Sequence, residues 1–380
     1  MSADIELRNV EANSPLMRSL SRSEDDFVEE RVETDFGSLL VARQGIDHKS
    51  TTKPVILTYH DIGLNHVSNF QAFFNYMDMR LLLKSFAVFH INAPGQEENS
   101  ATLPDNYDYP TMDQLAEQIR TVCKHYAIKS IIGLGVGAGA NILSRFALSY
   151  PDLVDGLFLI NATSTQSSWT EWFYQKLNIY YLHGTNPSNV SNNTFPHTTQ
   201  EYLMWHHFGK VTPERNHDLV ELYRSYFTGK TINARNLSLF MDSYIKRTDL
   251  GLVRGDKERN FKCPVLLLCG AFSPHVDDTV TMNSRLDPTN STWMKLSDCG
   301  MVLEEQPGKV EEALRLFIQG LGYALSAYER RRSSLRKMSM STTSGEGVNG
   351  HDSRKNSIEE EISLKQNQSV HIVENPIAQC

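Results

Sequence analysis

Cysteine is scarce and unpatterned. The chain has five, Cys123, Cys263, Cys269, Cys299 and Cys380, an odd number without C-x-x-C spacing. Neither a disulfide framework nor a zinc site is indicated, and reduced, buried thiols are expected. Long apolar runs are missing as well: stretches such as Pro264 to Cys269 are far too short to span a bilayer. The first thirty residues have no apolar core and carry Glu6, Glu24, Asp25, Asp26, Glu29 and Glu30, which argues against a secretory leader and for a cytoplasmic location. The Asn-x-Ser/Thr sequences at Asn161, Asn189, Asn192, Asn236 and Asn290 are then chance matches. A surplus of positive charge is also lacking. The formal net charge is -8, whereas a partner of nucleic acid needs a basic face. What remains is an ordinary globular composition, 40% hydrophobic and 22% charged, enough in 380 residues for one α/β domain with an insertion and tails.

The pattern along the chain gives that domain its order. Residues 1–27 are polar and aperiodic and read as a flexible segment. Val28 to Ala42 reads as a hairpin turning at Phe36-Gly37. Short apolar segments follow, separated by helical patterns: Val55 to Tyr59, Phe86 to Ile91, Ser130 to Leu134, Gly156 to Ile160, Val265 to Cys269 and Thr292 to Leu296. Buried strands alternating with amphipathic helices predict a mostly parallel central sheet flanked by helices. The hundred or so residues between the fourth and fifth of these strands hold helical patterns only, at Trp169 to Leu177, Thr199 to Phe208, Arg215 to Tyr226 and Leu237 to Tyr244. They predict a helical cap at about 163–258, inserted in a domain of 28–327. Residues 328–380 are serine-rich, charge-dense and nearly free of aromatics, the composition of a disordered tail.

Another missing residue carries the most information. Lys129 to Leu148 has the strand-turn-helix context of the G-x-S-x-G nucleophile elbow of α/β-hydrolases, with Gly135 and Gly139 as outer glycines. Its central residue is Gly137, which adopts the strained elbow backbone but brings no nucleophile. The catalytic acid of such enzymes follows the strand after the cap, and here Ser273 stands there. The histidine follows the last strand, and here Met301 stands there. With all three replaced, no catalytic residue is expected. The candidate oxyanion region, His60, Asp61, Gly63 and Ala138, is altered too. An aspartate at position 61 would repel a developing oxyanion. A proton-shuttling pair of His60 and Asp61 is the rival reading, but neighbours at a strand end point apart, so a loop-closing histidine is preferred. Gly135-Val136-Gly137-Ala138-Gly139-Ala140 also satisfies G-x-G-x-x-A. Asp155 precedes the next strand rather than following it, so a dinucleotide is not expected, and no cofactor or metal is assigned.

Residues 57–66 (LTYHDIGLNH), 133–161 and 263–323, the last with SPHVDD, NSRLDPTNST, KLSDCG and FIQGLGY, resemble the N-myc downstream-regulated family over about Val32 to Ala327. The resemblance implies an α/β-hydrolase fold without hydrolase activity and cytoplasmic roles in differentiation, stress response, signalling and trafficking. The loop Gly184 to Pro196 looks like an insertion relative to the family, and the tail keeps only its serine/arginine character. In that tail Ser333, Ser334, Ser339 and Ser357 each follow an arginine by three positions. This is the charge pattern that a basophilic Ser/Thr kinase reads, as the family's regulation by such kinases implies. The expected function is that of an inactive adaptor binding cytoplasmic proteins, with peripheral membrane association allowed. The competing readings are a residual hydrolase using Ser273 or Cys269, and a carrier of a small ligand or lipid. Trp169, Trp172, Tyr180, Tyr181 and Trp205 are expected mostly in the core of the cap.

Overall fold

A computed structural model of the protein describes residues 27–323 except 46–52, 77–78, 81, 83–84, 183–194 and 229–230. The segments expected to be flexible, 1–27 and 328–380, lie outside these residues apart from Phe27. Ser333, Ser334, Ser339, Ser357 and nearly all of the loop at 184–196 lie outside them as well.

Eight strands form one sheet: β1 (Val28–Thr34), β2 (Gly37–Gln44), β3 (Val55–Tyr59), β4 (Ala87–Ile91), β5 (Ile131–Val136), β6 (Val154–Ile160), β7 (Val265–Gly270) and β8 (Ser291–Leu296). The order is β1-β2-β4-β3-β5-β6-β7-β8. The β1/β2 hairpin and the β2/β4 pair are antiparallel, and every other pair is parallel. Strands β3, β4, β5 and β7 are buried at every residue, as their unbroken apolar runs require when helices cover both faces. This is the α/β-hydrolase fold.

Because neighbouring strand residues point to opposite faces, the sheet divides the core in two. On one side Leu57, Tyr59, Ile131 and Leu157 meet helices α1 (Met112–His125) and α2 (Ala138–Ser149) through Leu115, Ile119 and Phe146. On the other, Ile56, Ile132, Phe158 and Leu268 meet Phe70, Phe74 and Leu314. Helix α1 starts at a reciprocal capping box between Thr111 and Gln114, which satisfies amides that a helix leaves open.

Between β6 and β7 come the four cap helices, α3 (Trp169–Leu182), α4 (His197–Phe208), α5 (His217–Tyr226) and α6 (Ala234–Ile245); α7 (Val276–Arg285) and α8 (Pro307–Gly320) complete the fold. Helices α5 and α6 are opened by Asn216 and Asn233, whose side chains accept from the third amide of each helix. The cap is sewn to the sheet by buried polar groups. Asn236 donates to the carbonyls of Gly95 and Ala101 and accepts from Leu103 N at 2.9 Å, so its sequon sits wholly inside the fold.

The cap's aromatics correct the sequence reading. Trp169 (77% exposed), Trp172, Phe173, Tyr174, Tyr180 and Trp205 face outward and Tyr181 is half-buried. Helix α3 turns Gln175, Asn178, Ile179 and Leu182 inward instead. Aromatic residues occur on both faces of the α3 sequence, so hydrophobicity alone could not say which face the cap would choose.

Candidate functional site

Strand β5 ends in the elbow. Gly137 has φ 51° and ψ -111°, donates its N–H to Ile160 O at 2.9 Å, and hands the chain to α2 at Ala138. A Cβ at Gly139 would lie 2.1 Å from Tyr59 O, so only glycine lets the turn pass so close to β3. A Cβ at Gly137 would lie 2.2 Å from Asp61 Cγ and from both of its carboxylate oxygens. The space that a side chain at position 137 would need is thus taken by a carboxylate.

Asp61 does more than sit there. Its Oδ1 accepts from Ile62 N at 2.7 Å and from Ala138 N at 2.9 Å. These amides, one after the elbow and one in the loop after β3, have the positions of an oxyanion hole. The sequence reading cast Asp61 as repelling an oxyanion. In the fold it supplies an anion of its own to both donors. His60 points elsewhere: Nε2 accepts from Ala93 N at 2.9 Å and Nδ1 bonds Asp61 O at 2.8 Å. Burial pushes its pKa down to about 4, so it is a neutral loop-closing residue. Gly63, with φ 71°, lies in the turn closed by Leu64 N to Asp61 O.

Helix α4 brings two histidines from the cap, far from Asp61 in sequence. His206 Nε2 lies 2.9 Å from Asp61 Oδ2, and His207 Nδ1 lies 3.7 Å from the same oxygen. All three side chains are buried. His207 Nε2 donates to Ile62 O at 2.9 Å, and Tyr202 Oη is 3.2 Å from His206 Nδ1. Burial opposes ionisation of Asp61, but the charge and hydrogen bond of His206, the charge of His207 and the Ala138 amide outweigh it. Its carboxyl is held well below the usual carboxylate range. Burial, reinforced by His206, pushes His207 down to about 3. Sequence reasoning missed both histidines. The only signal was a His-His pair in the last turn before Gly209, which matches no metal-ligand spacing.

The two other positions named from the sequence, Ser273 and Met301, are each held by hydrogen bonds of their own. Ser273 Oγ donates to Asn161 Oδ1 at 3.0 Å and accepts from His275 N at 3.1 Å. Asn161, Met301 and His207 line a residual space of about 10 Å³, which holds one water at most. Met301 is fixed through its backbone: Glu305 Oε2 accepts from Gly300 N and Met301 N, while Glu305 pairs with Arg215 of the cap at 2.5 and 2.7 Å. Cys269 is fully buried, and burial pushes its thiol up to about 11 despite Lys295, so it is no ready nucleophile.

Beside His206 lies a cavity of about 690 Å³, lined by Tyr174, Tyr202, Trp205, Tyr244, Arg247 and His275 among others. Tyr202, His206 and Asp61 together have the hydroxyl–imidazole–carboxylate order of a hydrolase relay. The phenol is a poor nucleophile, since burial pushes its pKa well above the ordinary value. The amides that would stabilise an oxyanion are already bound by the same carboxylate.

Several solved α/β-hydrolases share this architecture. A thermophilic esterase from Thermogutta terrifontis superposes with a TM-score of 0.59 at 18% identity, covering 78% of this chain and 99% of that one. The enol-lactonase from Burkholderia xenovorans LB400 gives 0.59 at 14% identity, covering 76% and 100%. At such identities they share the fold alone. Sequence relatives are nearer. Protein NDRG3 of Xenopus tropicalis is 44% identical over 78% of this chain and 74% of its own length. Protein NDRG1 of the same species is 41% identical over 84% and 77%, and protein NDRG2 of Bos taurus 38% over 85% and 85%. The Ndr family model matches residues 29–325, and with relatives at this level the chain belongs to the Ndr family.

Proposed function

We propose that this protein is a catalytically inactive member of the α/β-hydrolase fold that works in the cytoplasm by binding other proteins in signalling, differentiation, stress response or trafficking. The observation that carries this reading is the Asp61 carboxylate. It fills the nucleophile's place against Gly137 and occupies the amides of Ile62 and Ala138. Acyl transfer needs a nucleophile, a base and stabilisation of an oxyanion, and one side chain removes the first and the third.

The outward aromatic face of α3 is the surface best suited to partners. A run of exposed Trp, Phe and Tyr side chains on one helix exceeds the scattered apolar exposure of a solitary domain, and such residues dominate binding energy where proteins meet. Among the described residues no helix is long and apolar enough to cross a membrane, which leaves peripheral association as the membrane option. The tail is the switch in this reading: phosphate on Ser333, Ser334, Ser339 or Ser357, placed by a basophilic kinase, reverses local charge.

The test is affinity capture with full-length wild type beside Trp169→Ser/Phe173→Ser and beside a variant with the four tail serines changed to alanine. Loss of partners in the first and a changed partner set in the second are expected. Identical sets in all three would overturn the reading. A fluorophosphonate that labels folded but not unfolded protein, at Ser273 or Tyr202, would show a residual hydrolase instead. The cavity of about 690 Å³ favours one further reading, a carrier of a small ligand, for which native mass spectrometry of the purified protein would show a retained molecule.

A further inference from the structure

We propose that Asp61, His206 and His207 bind one divalent transition-metal ion, zinc by chemical preference, and that the ion clamps the cap to the sheet at the former oxyanion hole. The ligand atoms are Asp61 Oδ2, His206 Nε2 and one ring nitrogen of His207, all within 4.8 Å of one another and all buried. Three such donors around a tetrahedral zinc stand about 3.3 Å apart, given bonds of roughly 2.0–2.1 Å. The 3.7 Å between Asp61 Oδ2 and His207 Nδ1 and the 2.9 Å between Asp61 Oδ2 and His206 Nε2 bracket that spacing, and the third pair, between the two imidazoles, lies within 4.8 Å.

What distinguishes the cluster from an ordinary buried hydrogen bond is the support behind each donor. Metal-binding imidazoles and carboxylates are characteristically held from behind by a second set of hydrogen bonds. Here Asp61 is held through Oδ1 by the amides of Ile62 and Ala138, which leaves Oδ2 facing the histidines. His207 donates Nε2–H to Ile62 O, which puts its free lone pair on Nδ1, turned to Asp61. A lone pair and a carboxylate oxygen repel unless a cation or proton lies between them. His206 has Tyr202 Oη behind it, and because a hydroxyl both donates and accepts, the ring can present a free Nε2 without losing that bond.

Two further observations agree. Both histidines occupy the last turn of α4, where the carbonyl end of the helix favours positive charge. His275 packs its ring 4.6 Å from that of His206; its Nδ1 lies 3.5 Å from Asp278 Oδ2, and among the described residues its buried Nε2 has no hydrogen-bond partner, so a further imidazole nitrogen is unused close to the three donors. Two imidazoles and a carboxylate form a donor set suited to zinc, and the cavity that His206 and His275 share adjoins it. The inference does not rest on partner binding through α3.

The experiment uses full-length protein stripped with a chelator, then titrated with Zn²⁺ alone by calorimetry, and with Co²⁺ followed by visible absorption. One ion per chain, a saturable rise in Tm and the intense visible band of low-coordinate Co²⁺ with nitrogen and oxygen ligands are expected. His207→Gln, and Asp61→Asn, which keeps an acceptor for the two amides, should each weaken Zn²⁺ binding by about tenfold or more. His217→Gln, on the exposed start of α5, should leave it unchanged. The proposal is overturned if stripped wild type takes up no Zn²⁺ or gives no such Co²⁺ band. It is overturned equally if the Asp61 and His207 variants, checked for native folding by circular dichroism, bind as wild type does. Those results would mean a cluster that is only hydrogen-bonded.

Discussion

Placing a serine in the elbow is the sharpest test of what Asp61 does there. In Gly137→Ser the new Cβ would stand 2.2 Å from the Asp61 carboxylate, so Asp61 must leave. Its departure breaks the charge-assisted bonds to Ile62 N and Ala138 N, leaving the His206 contact aside, and the serine must also hold a backbone with φ 51°. Each bond to a charged group contributes about 1.5–3 kcal/mol and the strained backbone costs about 1–3 kcal/mol, a total of about 4–9 kcal/mol. That is comparable with the entire stability of many domains, about 5–15 kcal/mol. Urea unfolding should therefore show a severe loss, with no gain of p-nitrophenyl ester hydrolysis. Asp61→Ala removes the obstacle, so the double variant should be more stable than the sum of the single effects by at least about 2 kcal/mol. A Gly137→Ser protein within about 1 kcal/mol of wild type, or strict additivity in the double variant, would refute the reasoning.

Three other outcomes are expected. Breaking the buried Arg215–Glu305 pair by Arg215→Met leaves the Glu305 charge without its cation, held only by the amides of Gly300 and Met301, and should cost about 3–5 kcal/mol in chemical denaturation. Burial pushes the Glu304 carboxyl from 4.5 up to about 7; Tyr223 partly offsets this and the charge of Glu305 adds to it. The folded state therefore prefers the protonated acid. Its contribution is complete below pH 4.5 and lost as pH rises through about 7. Glu304→Gln should accordingly gain on wild type across that window, by about 1–2 kcal/mol for this half-buried group, read from unfolding at pH 5 and pH 8. Finally, Trp169→Ser/Phe173→Ser should change stability by no more than about 0.5 kcal/mol per site, because both rings are exposed; a larger loss of Tm would show that this face is structural.

Residues close in sequence were the ones that sequence reasoning could read. The buried strands announced themselves as short apolar runs, and the elbow as three spaced glycines, because backbone conformation and burial on both faces of a sheet impose local demands on residue type. Helix ends were less legible: α3 continues to Leu182, five residues past the predicted Leu177, since packing in the cap rather than a local stop signal sets its length. The outward turn of its aromatic residues was hidden for the same reason.

The sequence by itself determined the mostly parallel sheet and the glycine turn after β5, because these follow from periodicity and local residue type. Only the tertiary structure decided what Asp61 does. Its carboxylate meets amides at positions 62 and 138 and imidazoles at 206 and 207, groups that the folded chain gathers from β3, the elbow and the cap. Whether a charge beside an oxyanion hole repels a substrate or fills the hole itself depends on distances of a few ångströms, and those are set by packing across the fold.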